Sequence, residues 1–312
     1  MVLAPNNTET QVTEFIMMCF PGMQDTQHWL LIVLAPLLVL AFGANFVLLF
    51  TIWQEASLHE PMYYLLAILS VLDVILCLTL IPKVLVIFWF NMKPISFVGC
   101  FLQMFIMNTF LPMESSTFLV MAYDRYVAIC HPLRYPFIIT EQFVINVAIF
   151  IVFHNLLATL PTPVLAARLN YCASNMTENC ICANISVAKL SCGDIHLNKL
   201  CQFVSVCLLG SDLVLILLSY CFILRAVIRQ QSGGTVTKAL STCGSHVILI
   251  LFFYTILLVF IFTNKAGKKI PSEVPILLNV LHHLIPPALN PIVYGVRTQE
   301  IKQGIMKLIK HL

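Results

Sequence analysis

Seven separate stretches of this chain carry 20 or more largely apolar residues, near 29–53, 61–90, 97–130, 141–166, 200–228, 239–263 and 273–295. At 1.5 Å rise per residue, about 20 helical residues cross the roughly 30 Å hydrocarbon layer of a bilayer. The chain is therefore expected to be an all-α membrane protein, a bundle of seven transmembrane helices. Only short connections remain between the spans, which leaves no room for a soluble catalytic domain. Charged residues make up 10% of the chain and hydrophobic ones 60%, against about 25% charged in soluble domains. No Gly/Ser linker, charge block, low-complexity tract or repeat divides it. One seven-span domain over 1–295, with a tail at 1–27, is expected to lead into a final segment, 296–312. Residues 1–27 hold no Lys or Arg and no cleavable signal pattern, so the first span is expected to act as an uncleaved anchor.

Orientation rests on sequons and cysteines more than on charge. With the N-terminus outside, nine of the 17 Lys and Arg fall on the cytoplasmic side, a weak vote under the positive-inside rule. The sequons at Asn6, Asn175 and Asn184 lie in the tail and after span four, so one compartment can hold all three. Seven cysteines, Cys19 among them, lie in spans or in the tail and read as packing residues. Cys100 opens span three, and Cys172, Cys180, Cys182 and Cys192 sit before span five, as expected of an oxidising compartment. The even ten-residue spacing of Cys172, Cys182 and Cys192 suggests Cys100–Cys182 and Cys172–Cys192 with Cys180 spare, though spacing alone does not fix connectivity. Twenty-four residues separate Cys100 from Asp124, about 36 Å of helix, so Cys100 outside puts Asp124 and Arg125 inside.

Span three closes on Met-Ala-Tyr-Asp-Arg-Tyr-Val-Ala-Ile-Cys, residues 121–130. Further marks follow in order: Pro-Met-Tyr-Tyr-Leu-Leu at 61–66, Leu-Ser-Val-Leu-Asp at 69–73 and Ser-Tyr at 219–220. Lys-Ala-Leu-Ser-Thr-Cys-Gly-Ser-His occupies 238–246, and Pro-Ala-Leu-Asn-Pro-Ile-Val-Tyr occupies 287–294. From about Phe15 to Tyr294 the chain resembles an odorant receptor of the rhodopsin-like G-protein-coupled family. Phe20-Pro21-Gly22-Met23 with His28-Trp29, and the Asp of Gly210-Ser211-Asp212, resemble its class I branch. The resemblance implies a plasma-membrane receptor for a small odorant that signals through a stimulatory G protein. It also implies a switch in which Asp124 holds Arg125 at rest. On activation Arg125 would turn toward Tyr220 and His246 as span six moves outward; Tyr220, His246 and Tyr294 fall at matching depths on three other spans, and Asn290 belongs to the same switch. A plain interfacial ion pair is the bland alternative.

Asp73 and Glu114 each fall about 15–18 Å from the inner face, and two such carboxylates cannot both stay ionised unaided. Either they share a proton, or a small cation such as Na⁺ bridges them with Asn290 and Ser70 or Ser115. The resemblance favours Na⁺; no other cofactor is implied. Asp212 is a further intramembrane acid with no partner legible in the sequence. Pro286, Pro287 and Pro291 are expected to kink span seven, with Asn290 satisfying freed backbone groups.

A pocket in this architecture opens outward between spans three, five, six and seven. Met107, Asn108 and Leu111 on span three, Ser205 on five and Tyr254 and Ile261 on six converge there with His283 or His282 on seven. For the apolar members ordinary helix packing explains the residue equally well. The histidines are a metal site, a ligand contact or interhelix bonds, the last being commonest. Lys265 ends span six and offers a cation to a carboxylic acid, but with Lys268 and Lys269 beside it snorkelling to the interface is the stronger reading. The tail from Arg297 to Leu312 alternates cationic and apolar positions. It is expected to form a short amphipathic helix on membrane lipid, with Lys302, Lys307 and Lys310 facing headgroups. A transporter using the intramembrane acids is the alternative function, but no inverted repeat supports it. No HExxH, GxSxG or P-loop pattern suggests an enzyme, and nothing points to nucleic acid.

Overall fold

The computed structural model describes residues 12–20, 29–172, 174–229, 233–266, 269–271 and 273–311; within these, the side chains of 233–242, 245, 297, 309 and 311 are left aside. Asn6, Pro21–Met23, His28 and Lys268 lie outside the described residues. Strand β1 (Glu14–Met17) precedes the first two crossings, α1 (Leu30–Gln54) and α2 (Pro61–Phe90). Strand β2 (Pro94–Ser96) leads into the third, α3 (Phe97–Cys130), and a short α4 (Tyr135–Ile138) follows. The fourth crossing is α5 (Glu141–Thr159) with α6 (Pro161–Ala167). After β3 (Met176–Thr177) and α7 (Asn184–Ala188) come α8 (His196–Arg229) and α9 (Gly233–Ala266). The seventh crossing is α10 (Glu273–His282) with α11 (Ile285–Arg297), and α12 (Gln299–His311) ends the chain. Among the described residues, seven helical segments are long and apolar enough to cross a membrane, and the protein is a multi-pass membrane protein.

Starts and breaks follow the residues. Ser96 caps α3 by accepting from the Gly99 amide at 3.1 Å, and Thr140 caps α5 by accepting from Phe143 at 3.2 Å, each bond satisfying a donor left over in the first turn. Span four, expected as one run, is interrupted at Leu160 because Pro161 and Pro163 remove two backbone donors. Span seven breaks between His282 and Ile285 ahead of Pro286 and Pro287. Pro291 cannot donate to the Pro287 carbonyl, and the Asn45 side chain of α1 supplies that bond at 2.8 Å. The expectation for Asn290 is corrected here: its amide is turned to the acids instead.

Large apolar side chains such as Ile32, Phe153, Phe203 and Phe262 stand exposed around the outside, as a bilayer-facing surface requires. α3 is the central post, packing on α2, α5, α6, α8 and α9. Beside α1, α12 lies so close that a Cβ at Gly304 would sit 2.7 Å from Thr51. Lys302, Lys307 and Lys310 are all exposed, and Lys307 pairs with Glu55 at 2.8 Å.

The all-α expectation needs one addition. β1 pairs antiparallel with β2 (Phe15 opposite Ile95) and parallel with β3 (Ile16 opposite Met176) at the Cys100 end. Phe15, Phe97, Phe101 and Tyr171 pack around this small sheet.

Candidate functional site

The Cys100 end is closed by the chain between α6 and α8. Cys100 is joined to Cys182 and Cys172 to Cys192, with Cα separations of 5.4 and 5.8 Å. Cys180 is not spare: it is joined to Cys19, at a Cα separation of 4.7 Å. Cys19 is therefore no packing residue, because β1 carries it across the sheet. Cys180, Ile181 and Cys182 are fully buried, and the Cys182 amide donates to Gln103 of α3 at 2.9 Å. Asn175 is part-exposed, whereas Asn184 is buried and bonded to Asn198, which removes the third sequon.

Beneath this plug, three of the polar pocket candidates bond to their own helices. Asn108 donates to the Met104 carbonyl, Ser205 to that of Cys201, and His283 Nδ1 lies 2.7 Å from the Asn279 carbonyl. Leu111, Tyr254 and Ile261 share one packed cluster, while Met107 packs in another with Cys182 and Val280. The His282 ring packs on Phe253 with ring centroids 5.2 Å apart. Lys265 is exposed at the end of α9.

At mid-depth, the Asn290 amide donates to both Asp73 oxygens (3.2 and 3.0 Å) and stands 3.4 Å from Glu114 Oε1. Both acids are buried, and Asn290 Oδ1 has no partner among the described residues. Ser115 does not join them: its hydroxyl donates to Asp212 at 2.8 Å and lies 2.7 Å from the Tyr254 hydroxyl. Asp212 thus has the partner the sequence hid, and Ser116 adds a second at 3.2 Å. Asn155 of α5 reaches Ser116 at 3.3 Å, so one carboxyl ties α3, α5, α8 and α9 together. Among the described residues no three His, Cys, Asp or Glu side chains converge on a metal position.

At the opposite end, Arg125 Nε stands 3.9 Å from Asp124 and its guanidinium touches the Met62 sulfur. Asp124 also accepts from the Tyr135 hydroxyl at 2.9 Å. Burial, with the Asp124 charge beside it, holds the Tyr135 phenol above its ordinary pKa and so protonated as a donor. Tyr220 and His246 bond to each other across α8 and α9, and the buried Tyr294 hydroxyl has no partner among the described residues. Tyr135 ends the run that opens at Met121, but nothing in that run shows that it braces Asp124; Gln103 and Asn45 carry no motif, and of these two only Asn45, a lone amide in an apolar span, shows a signal in the sequence.

A model of the olfactory receptor family matches residues 34–311. Over 311 residues the chain is 64% identical to human olfactory receptor 56A4, covering 99% of each. It is 65% identical to human olfactory receptor 56A1, covering 98% of this chain and 97% of that one. Squid rhodopsin, a solved structure, matches with a TM-score of 0.72 at 15% identity, over 92% of this chain and 86% of its own; this match speaks for the fold alone.

Proposed function

This chain belongs to the olfactory receptor family, a family of receptors and not enzymes, and on that premise we propose how it senses an odorant and passes the signal on. A small volatile or water-soluble organic molecule binds beneath the disulfide-bonded plug, among Met107, Asn108, Leu111, Ser205, Tyr254, Ile261 and His283. The plug, the tail and the sequons at Asn6 and Asn175 face the outside of the plasma membrane, and Asp124-Arg125 faces the cytoplasm.

The reading is carried by the arrangement at the Arg125 end. Asp124, braced by Tyr135, retains Arg125 on one side, while Tyr220 and His246 occupy each other on the other. Exchanging those partners as α9 swings outward frees the guanidinium to bond Tyr220 and His246, with Tyr294 beside them. The gap that opens admits a helix of a stimulatory olfactory-type G protein, and cyclic AMP rises. Arg suits this exchange because its planar, permanently charged head bonds in several directions.

Motion reaches that end through mid-depth. Tyr254 on α9 shares the Ser115 hydroxyl with Asp212 on α8, so a ligand that displaces Tyr254 disturbs α3, α8 and α9 together. Asp73 and Glu114, with Asn290 turned to present its oxygen, would offer an all-oxygen set to a small hard cation such as Na⁺, which would hold the resting bundle by offsetting one of the two buried negative charges while the other acid keeps its proton. Should the acids share a proton instead, the same three side chains hold it.

Arg125→Ala is expected to keep surface expression and lose agonist-driven cyclic AMP. Undiminished signalling from that variant would reject the latch.

A further inference from the structure

Away from the odorant pocket, on the outer side of the bundle, α3, the start of α5 and α8 enclose a groove of about 610 Å³. Its walls run from Leu119 to Tyr126 on α3 and from Leu215 to Phe222 on α8, with Phe143 of α5 closing the side. Seven residues on each helix give about 10 Å of length. Ser219, one of the lining residues, donates to the Ala122 carbonyl at 2.9 Å, and its small side chain leaves the hollow between bulkier neighbours. Leu215, Leu218 and Phe222 are about half exposed within a crossing segment, so the groove opens to lipid and not to water.

Depth and chemistry narrow the occupant. Tyr126 lies four residues from the end of α3 at Cys130 and Leu119 eleven, about 6 and 16 Å, so the groove spans one leaflet from its interface inward. Four aromatic rings line the interfacial end, with centroids 6.0–6.4 Å apart between Tyr123 and Phe143, Tyr126 and Phe222, and Tyr123 and Tyr126. The deep end is branched aliphatic, with Leu119, Val120, Leu215 and Leu218. No charged side chain lines the groove, whereas a phosphate headgroup is held by Arg or Lys. The polar atoms at its mouth are tyrosine hydroxyls, that of Tyr126 lying 3.3 Å from His131 Nε2.

We propose that this groove is a sterol-binding site. The single sterol hydroxyl sits at the Tyr123–Tyr126–His131 mouth, the flat ring system lies on the aromatic walls, and the branched tail reaches Leu119 and Leu215. Tyr126 also packs in the cluster of Ile223, Val227 and Cys243 that joins α8 to α9, so an occupied groove braces the face beside the Arg125 latch.

The test is photolabelling of the full-length receptor in cell membranes with a photoreactive, alkyne-tagged cholesterol analogue, followed by peptide mapping. The expected label falls on α3 and α8 peptides containing Tyr123 and Phe222, and excess cholesterol removes it while excess phosphatidylcholine does not. L215W, which fills the groove from its exposed rim, is expected to lower that labelling several-fold. L251W, on an exposed position of α9, is expected to leave it unchanged. Equal competition by phosphatidylcholine would make the groove an acyl-chain site and overturn the sterol assignment. Labelling confined to other faces of wild-type receptor would overturn the site itself, whatever the variants do.

Discussion

A single phenol, that of Tyr135, fixes the second oxygen of Asp124 while Arg125 approaches the first. Removing it leaves the buried carboxylate short of a donor and loosens its hold on Arg125. Tyr135→Phe is therefore expected to raise basal cyclic AMP at unchanged surface level; basal signalling equal to wild type would contradict the brace. At mid-depth, replacing Na⁺ by a bulky organic cation is expected to raise basal signalling in wild type and leave Asp73→Asn indifferent. Equal responses in the two would favour the shared proton. Asp73, Glu114 and Asp212 were legible in the sequence because a carboxyl inside an apolar span always demands an explanation. Their partners were not all legible. Ser115 and Ser116 sit 100° apart around α3, and only the packing of α8 decides that both turn to Asp212.

Helices announced themselves by length and apolarity, and span three matches its expected limits residue for residue. The breaks in spans four and seven were written as prolines, but the group that repairs the second break comes from another helix. Asn45 lies 242 residues from Pro287, and no local pattern links them. Asn45→Ala leaves that carbonyl bare and is expected to cost about 1–3 kcal/mol, seen as a lower melting temperature of purified receptor; an unchanged melting temperature would show another group satisfying it. The three-stranded sheet was invisible because its strands have two to four residues and lie in three distant segments. The Cys19–Cys180 bond staples that sheet to the plug. Cys19→Ser is expected to weaken the folded state by about 2–4 kcal/mol and to free Cys180 for alkylation. Unchanged thermal stability with Cys180 still blocked would argue for a different partner.

As a whole the molecule has two unlike ends. One is pinned by three disulfides and a buried loop over the pocket candidates; the other is held by hydrogen bonds and by the Asp124–Arg125 pair, whose partners can exchange. That asymmetry fits a device that takes in a ligand at the rigid end and changes shape at the soft one, with the Asp212 and Asp73–Glu114 clusters between them. The motifs made the soft end readable in advance, since an acid–arginine pair at a helix mouth has few uses. The pocket was less readable, because apolar residues that would touch an odorant look the same as those that pack a helix. The most direct measurement is cyclic AMP in cells expressing the full chain with a stimulatory olfactory-type G protein, across matched aliphatic acids, aldehydes, alcohols and ketones. A concentration-dependent rise to members of that panel, lost in Arg125→Ala, is the predicted result. If Lys265→Ala also abolishes a response to acids, the exposed lysine is the anchor; a response confined to neutral odorants leaves it at the interface. Silence across the panel from receptor confirmed at the surface, with a G protein that other receptors activate in the same cells, would contradict the coupling proposed here.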